Sequence, residues 1–121
     1  MVRVVGHLKE MMIASLSDPD SRRIIRAVMV RPKSAVEIEK ELDLPQSTLY
    51  RKISDLKECG LLMVEKYAIS YDGRKEALYA CPFTEVRFKV GREEIELELI
   101  ETKESLERRW FALFFARQDF S

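Results

Sequence analysis

The apolar positions of this chain change period once, close to Gly60: before it they recur at helical spacing, and beyond it they alternate. Leu8, Met11, Met12, Ile13 and Leu16 make a short helical face, which Ser17-Asp18-Pro19-Asp20 breaks. Pro19 suits the first turn of a second helix and Asp18 its cap. Ile24, Ile25, Val28 and Met29 are the inward face of that helix, Arg22, Arg23, Arg26 and Arg31 surround it, and Pro32 stops it. Ser34-Ala35-Val36-Glu37 reads as a capping box, a hydroxyl at the cap and a carboxylate three residues on. The helix it starts turns Ala35, Ile38 and Leu42 inward, leaves Glu37, Glu39, Lys40 and Glu41 to water, and ends near Asp43. Leu44-Pro45 opens the next helix, with Leu49, Ile53 and Leu56 inward and Gly60 fit for the left-handed position past its end.

From Leu62 to Ser70 the pattern predicts a strand, from Tyr71 to Arg74 a turn, and from Lys75 to Cys81 the returning strand. Asp72-Gly73 between extended runs predicts a type I′ hairpin turn. A second hairpin follows. Val86, Phe88 and Val90 alternate with Glu85, Arg87 and Lys89, and Ile95, Leu97 and Leu99 alternate with Glu94, Glu96 and Glu98. Charges on the facing strands can pair across the ladder. A helix is predicted over Thr102 to Phe120. There Leu106, Trp110, Leu113 and Phe114 form one stripe, while Phe111 and Phe115 fall nearly opposite. A helix apolar almost all round is buried on more than one face. The expectation is a two-fold contact with the same helix of a second copy; the alternative is that the second hairpin covers it. A membrane anchor fits poorly, because Glu101, Glu104 and Glu107 would be repelled by anionic lipid.

Three helices and then a hairpin is the order of a winged helix-turn-helix. The expected class is α+β: a three-helix core with a hairpin wing, a second hairpin, and a C-terminal dimerisation helix. The expected division is 1–82 for the DNA-binding domain and 83–121 for the extension. Within the reading helix, 45–59, a step of 100° per residue turns Ser47, Arg51, Ser54 and Glu58 outward, with Gln46 and Tyr50 on one flank and Thr48 and Lys52 on the other. Its first two turns thus offer hydroxyls, an amide, a phenol and a guanidinium, groups that read base edges and phosphates.

Composition narrows the picture without deciding it. The chain has 121 residues, 46% hydrophobic and 35% charged, which suits a folded domain rather than a disordered chain. No apolar run approaches the ~20 residues of a membrane span. The opening Met1-Val2-Arg3-Val4-Val5 is too short for a signal peptide. The expected location is the cytoplasm, with reduced cysteines. Lys and Arg number 21 and so do Asp and Glu, so DNA contact must rest on a local patch rather than on bulk basicity. Residues 1–82 carry +2 and residues 83–121 carry −2. The absence of Asn beside abundant Lys, Arg and Glu leans towards a thermophilic source.

Three stretches carry a family resemblance: Ser17-Asp18-Pro19-Asp20-Ser21-Arg22-Arg23-Ile24-Ile25, Leu42-Asp43-Leu44-Pro45-Gln46-Ser47-Thr48-Leu49-Tyr50-Arg51, and Leu56-Lys57-Glu58-Cys59-Gly60-Leu61-Leu62. Over about residues 8–82 the chain resembles the ArsR-type winged helix regulators of archaea and bacteria. The resemblance implies a homodimeric transcription factor, most often a repressor, that inserts residues 45–59 into the major groove and uses 67–77 as its wing. The hairpin over 83–101 lies outside that common core. The family's metal sensors carry paired cysteines before the reading helix, or His and Asp ligands on the terminal helix. Here 34–42 has neither Cys nor His, and His7, Cys59 and Cys81 are not spaced as a ligand set, so no metal or cofactor is expected. Cys59 and Cys81 read as small buried hydrophobes. No His stands near Ser47 and Thr48, and the chain has no phosphate loop or nucleophile turn, which leaves an enzyme poorly supported.

The reading is therefore a dimeric, sequence-specific regulator of transcription on double-stranded DNA. The base-reading candidates are Ser47, Thr48, Tyr50 and Arg51, with Gln46 assisting; Lys52, Arg74 and Lys75 are candidates for phosphate. Leu106, Trp110, Phe111, Leu113, Phe114 and Phe115 are the expected dimer contacts. The alternative is a winged-helix module that binds protein. Operator, target genes and effector are not legible.

Overall fold

The computed structural model describes residues 1–101. The helix expected over 102–120, with its six dimer-contact residues, lies outside the described residues. The described residues divide into two compact units, one of residues 6–81 and one of residues 1–5 with 82–101.

The first unit holds four helices: α1 (Gly6–Leu16), α2 (Pro19–Val30), α3 (Ala35–Leu42) and α4 (Gln46–Glu58). Each boundary has a local cause. The Asp18 carboxylate accepts the Ser21 N–H at 2.9 Å and caps α2, with Pro19 in the first turn. The capping box closes in both directions: Ser34 Oγ accepts the Glu37 N–H, and Glu37 accepts the Ser34 N–H. Arg31 also bridges to Glu37 at 2.6 Å, and this guanidinium is the main reason the Glu37 carboxyl sits below its ordinary pKa. Past α4, Gly60 takes φ +85°, while the Gly60 and Leu61 N–H groups return to the Lys57 and Leu56 carbonyls. That pairing is a Schellman motif. Ile24, Ile38, Leu49, Leu56 and Leu61 are fully buried, as the spacing predicts for the helices among them, but Leu8 and Met29 of the predicted faces are exposed, and α1 buries Lys9 with Met12 and Leu16.

A small antiparallel sheet completes this unit, with β2 (Lys33–Ser34) beside β4 (Lys75–Ala80) and β4 beside β3 (Met63–Ile69). The two-residue β2 escapes any periodicity argument, since it holds a lysine and a serine. Lys33 is buried there, its ammonium 2.7 Å from Glu41 of α3. The turn at the wing tip differs from expectation. A type I′ turn needs positive φ at both central residues, but of Asp72 and Gly73 only Gly73 has it, at +82°. The connection instead runs over 70–74: Gly73 N–H donates to the Ser70 carbonyl, and the Asp72 carboxylate accepts from the Ser70 hydroxyl and the Arg74 N–H. Side-chain acceptors in the loop replace the second left-handed residue.

The other unit is a three-stranded antiparallel sheet in the order β1 (Val2–Val4), β6 (Ile95–Ile100), β5 (Glu85–Val90). The second hairpin forms as the alternation predicts, with Val86 opposite Leu99, Phe88 opposite Leu97 and Val90 opposite Ile95. β1 was not legible as a strand, because three residues cannot establish a period. Its register sets Val2 opposite Leu99 and Val4 opposite Leu97, so it shares the apolar face of the hairpin. The opposite face is an ion-pair ladder in which Arg3 meets Glu96 at 3.1 Å and Lys89 meets Glu98 at 2.9 Å. Lys89 is the chief reason the Glu98 carboxyl titrates below its ordinary range. Among the described residues no helix is long and apolar enough to cross a membrane.

Candidate nucleic-acid interface

The helix α4 is anchored on one side by Leu49, Ile53 and Leu56, which are buried at 0–2% exposure. That anchoring decides what the other side presents. Gln46, Ser47, Tyr50, Arg51 and Ser54 are exposed, while Thr48 and Lys52 are only partly so. The helix starts after Pro45 with no side chain capping it, and its first backbone bond is Leu49 N–H to the Pro45 carbonyl. The N–H groups of the first turn are therefore open to an anion. Among the described residues the Arg51 guanidinium makes no ion pair, and a charged side chain left in water keeps its donors available for a base edge or a phosphate.

Tyr50 faces the wing. A groove of about 620 Å³ is lined by Ser34, Val36, Tyr50, Arg74, Lys75 and Tyr79 among others, so it joins the start of α3, the reading helix and the wing. The Tyr79 phenol titrates above its ordinary value, first because it is partly buried and then through its electrostatic interaction with Tyr50 and Tyr67. The Lys75 ammonium stands 4.3 Å from the centre of the Tyr67 ring and that of Lys57 5.9 Å from the Tyr79 ring. These are cation–π distances, and they hold two lysines along the wing while leaving their charge exposed. Arg74 at the tip is almost wholly in water and pairs loosely with Asp72.

The structure thus gathers Gln46, Ser47, Tyr50 and Arg51 on one side of α4, and sets Arg74 and Lys75 across a shared groove from Tyr50. It does not bring Lys52 to that groove. The Lys52 ammonium lies on the other flank, hydrogen-bonded at 2.5 Å to the same Asp18 oxygen that caps α2, with its side chain 14% exposed. A separate groove of about 360 Å³ there is lined by Ser15, Asp18, Ser21, Arg51, Lys52 and Asp55 among others. Sequence reasoning did not single out Tyr79, which lines the groove beside the wing, or Lys57, whose ammonium stands over the Tyr79 ring. Tyr79 alternates like any strand residue, and Lys57 belongs to the late part of a helix whose early turns drew attention. The Asp18–Lys52 pair spans 34 residues, and no local pattern announces it.

Its pKa makes this pair measurable. Lys52 is the main cause that holds Asp18 at about 2, against 3.8 for the free carboxyl, with the Ser21 hydrogen bonds adding to it. A depressed carboxyl stabilises the fold above its unfolded pKa and loses that contribution as pH falls through the folded value. The contribution is therefore complete at neutral pH and disappears between about pH 4 and pH 2. In acid titrations of stability, Asp18→Asn is expected to remove the part of the fall that lies in that window. An unchanged acid profile would mean that the pair is not formed in solution.

Among the described residues no group of three or more His, Cys, Asp and Glu side chains could hold a metal ion. Cys59 and Cys81 are both buried, and neither is in a disulfide.

Helices joined by a tight turn, with a strand hairpin behind them, define a helix-turn-helix with a wing. Residues 16–65, which run from the end of α1 into β3, match the family described as Helix-turn-helix domain. A comparison with curated proteins gives no match. Among solved structures the chain is similar to HlyU from Vibrio cholerae, with 13% identity, 90% of this chain and 92% of that one covered, and a TM-score of 0.43. It is similar to an ArsR-like transcriptional regulator from Rhodococcus, with 18% identity, 93% and 80% covered, and a TM-score of 0.45. It is also similar to the transcriptional repressor BigR from Xylella fastidiosa, with 17% identity, 88% and 84% covered, and a TM-score of 0.41.

Proposed function

We propose that this protein is a sequence-specific DNA-binding regulator of transcription, a cytoplasmic homodimeric repressor whose helix α4 enters the major groove. The observation that carries the reading is the exposed row Gln46, Ser47, Tyr50 and Arg51 on an uncapped helix, beside a wing whose Arg74 and Lys75 reach into solvent. A helix about 10–12 Å across fits a major groove about 12 Å wide. With α4 so placed, its outward side chains meet base edges, and the wing lies along the neighbouring backbone. The segment 83–121 supplies the second function of the chain, dimerisation, through the apolar stripes of 102–121.

The reading helix and the wing have different expected signatures. Arg51→Ala should weaken binding to selected duplexes by about 1–3 kcal/mol and relax base preference at one position per half-site. An equal loss on selected and random duplexes would make Arg51 a phosphate contact instead. Arg74→Ala should weaken binding to all sequences almost evenly and make the salt slope shallower by about one. If neither affinity nor slope changes, the wing tip does not touch DNA. Selecting bound fragments from a random duplex pool tests the whole reading, since enrichment of a two-fold symmetric sequence is the expected result.

A further inference from the structure

We propose that Lys52 is a positioning residue of the reading helix rather than a phosphate contact: its ammonium, held by the Asp18 carboxylate at the start of α2, fixes the rotation of α4 and so aims Ser47, Tyr50 and Arg51. The inference rests on the DNA reading above. Three donors meet on one Asp18 oxygen, namely the Ser21 N–H at 2.9 Å, the Ser21 hydroxyl at 2.9 Å and the Lys52 ammonium. The first two belong to the cap of α2. The third comes from the helix meant to enter the groove, so the carboxylate joins the start of one helix to the flank of another. The lysine stem is mostly buried and the head is directed at its partner, unlike Arg51 beside it, which is exposed.

Apolar packing alone leaves rotation loosely set. Leu49, Ile53 and Leu56 keep α4 on the core, but burial is non-directional and tolerates small turns about the helix axis. A directed ion pair on one flank does not. A side-chain tip 5–6 Å from the axis moves about 1 Å for each 10° of rotation. A hydrogen bond to a base edge spans only about 2.7–3.2 Å, so a shift of that size breaks it. Rotation of α4 is therefore a specificity variable, and Lys52 holds it.

The test uses the full chain and two probes, a duplex enriched from a random pool by the wild-type protein and an unselected random duplex of equal length. Lys52→Met keeps the buried stem and removes the charge. Asp18→Asn keeps a residue that caps as well as aspartate and removes only the carboxylate charge. Each is expected to lower the ratio of selected to random affinity about tenfold, the scale of one lost base contact, with the salt slope unchanged. The double variant should lose no more than either single one, because both remove one pair. Lys52→Arg, which restores a cation to the same carboxylate, should recover most of the ratio.

Two other patterns would overturn the proposal. If Lys52 binds phosphate, Lys52→Met weakens both probes equally and lowers the salt slope by about one, while Asp18→Asn weakens neither. If the pair serves stability alone, both variants melt earlier yet keep the wild-type ratio at temperatures where they are folded. A wild-type protein that enriches no sequence refutes the DNA reading and this role with it. That failure is seen before any variant is made, and it would leave the non-additive effect of the two substitutions on melting intact.

Discussion

Removing residues 102–121, or changing Trp110 and Phe114 to charged residues, is expected to yield monomers or insoluble protein and to abolish tight binding to a two-fold DNA site. Leu106, Trp110, Leu113 and Phe114 recur on one stripe and Phe111 and Phe115 on nearly the opposite one, so as a helix the segment has apolar surface for two partners. In the proposed dimer the chain's own domain would cover one face and a second copy across a two-fold axis the other. Such a dimer would set two copies of α4 about 34 Å apart, one turn of DNA, and add their contacts on a single duplex. A monomer keeps one half-site. With contacts near the usual strength of specific complexes, losing half of them weakens binding by more than about a hundredfold. Sedimentation of the truncated chain measures the outcome, and a soluble truncated dimer would move the interface elsewhere, with α1 around Leu8 to Leu16 the next place to look.

Leu56→Ala is expected to destabilise the first unit by about 2–5 kcal/mol, the range for a buried leucine that leaves a cavity. Leu56 has no exposed surface, and its carbonyl accepts the Leu61 and Leu62 N–H groups that turn the chain out of α4. The side chain therefore supports both the core and the exit towards the wing. A folded domain has only about 5–15 kcal/mol in hand, so DNA binding at physiological temperature should fall with stability. Ser54→Ala, on the exposed side of the same helix, should change stability by less than about 0.5 kcal/mol. Denaturant unfolding of both variants checks the pair, and a loss below 1 kcal/mol at Leu56 would mean that α4 is not packed as described.

The helices were legible because each carries its own signals at short range. Asp18 and Pro19 begin α2, the box of Ser34 and Glu37 begins α3, and Gly60 ends α4, all through interactions within one turn. The second hairpin was legible for the same reason, as six-residue strands show alternation. What escaped depends on residues far apart in the chain. β1 exists only because β6, more than ninety residues on, offers it a register, and β2 because β4 does. The outward row of α4 followed from the period of Leu49, Ile53 and Leu56. Lys52 was placed with the phosphate candidates because its direction could be counted but its partner could not. The wing turn was misread because Asp-Gly has two solutions, and the Ser70 and Asp72 side chains select the one with a single left-handed residue.

The central claim is that α4 and the wing grip the DNA backbone while they read its bases, and the salt dependence of duplex binding tests it most directly. Each neutralised phosphate releases counterions and contributes about −0.9 to the slope of log affinity against log salt. In the proposed dimer, Arg74, Lys75 and the α4 terminus of each of two subunits would amount to several such contacts. The expected result is a slope of several units, with affinity falling about a thousandfold between 50 and 200 mM salt. A slope near zero would contradict the account and leave a winged-helix module that docks on another protein.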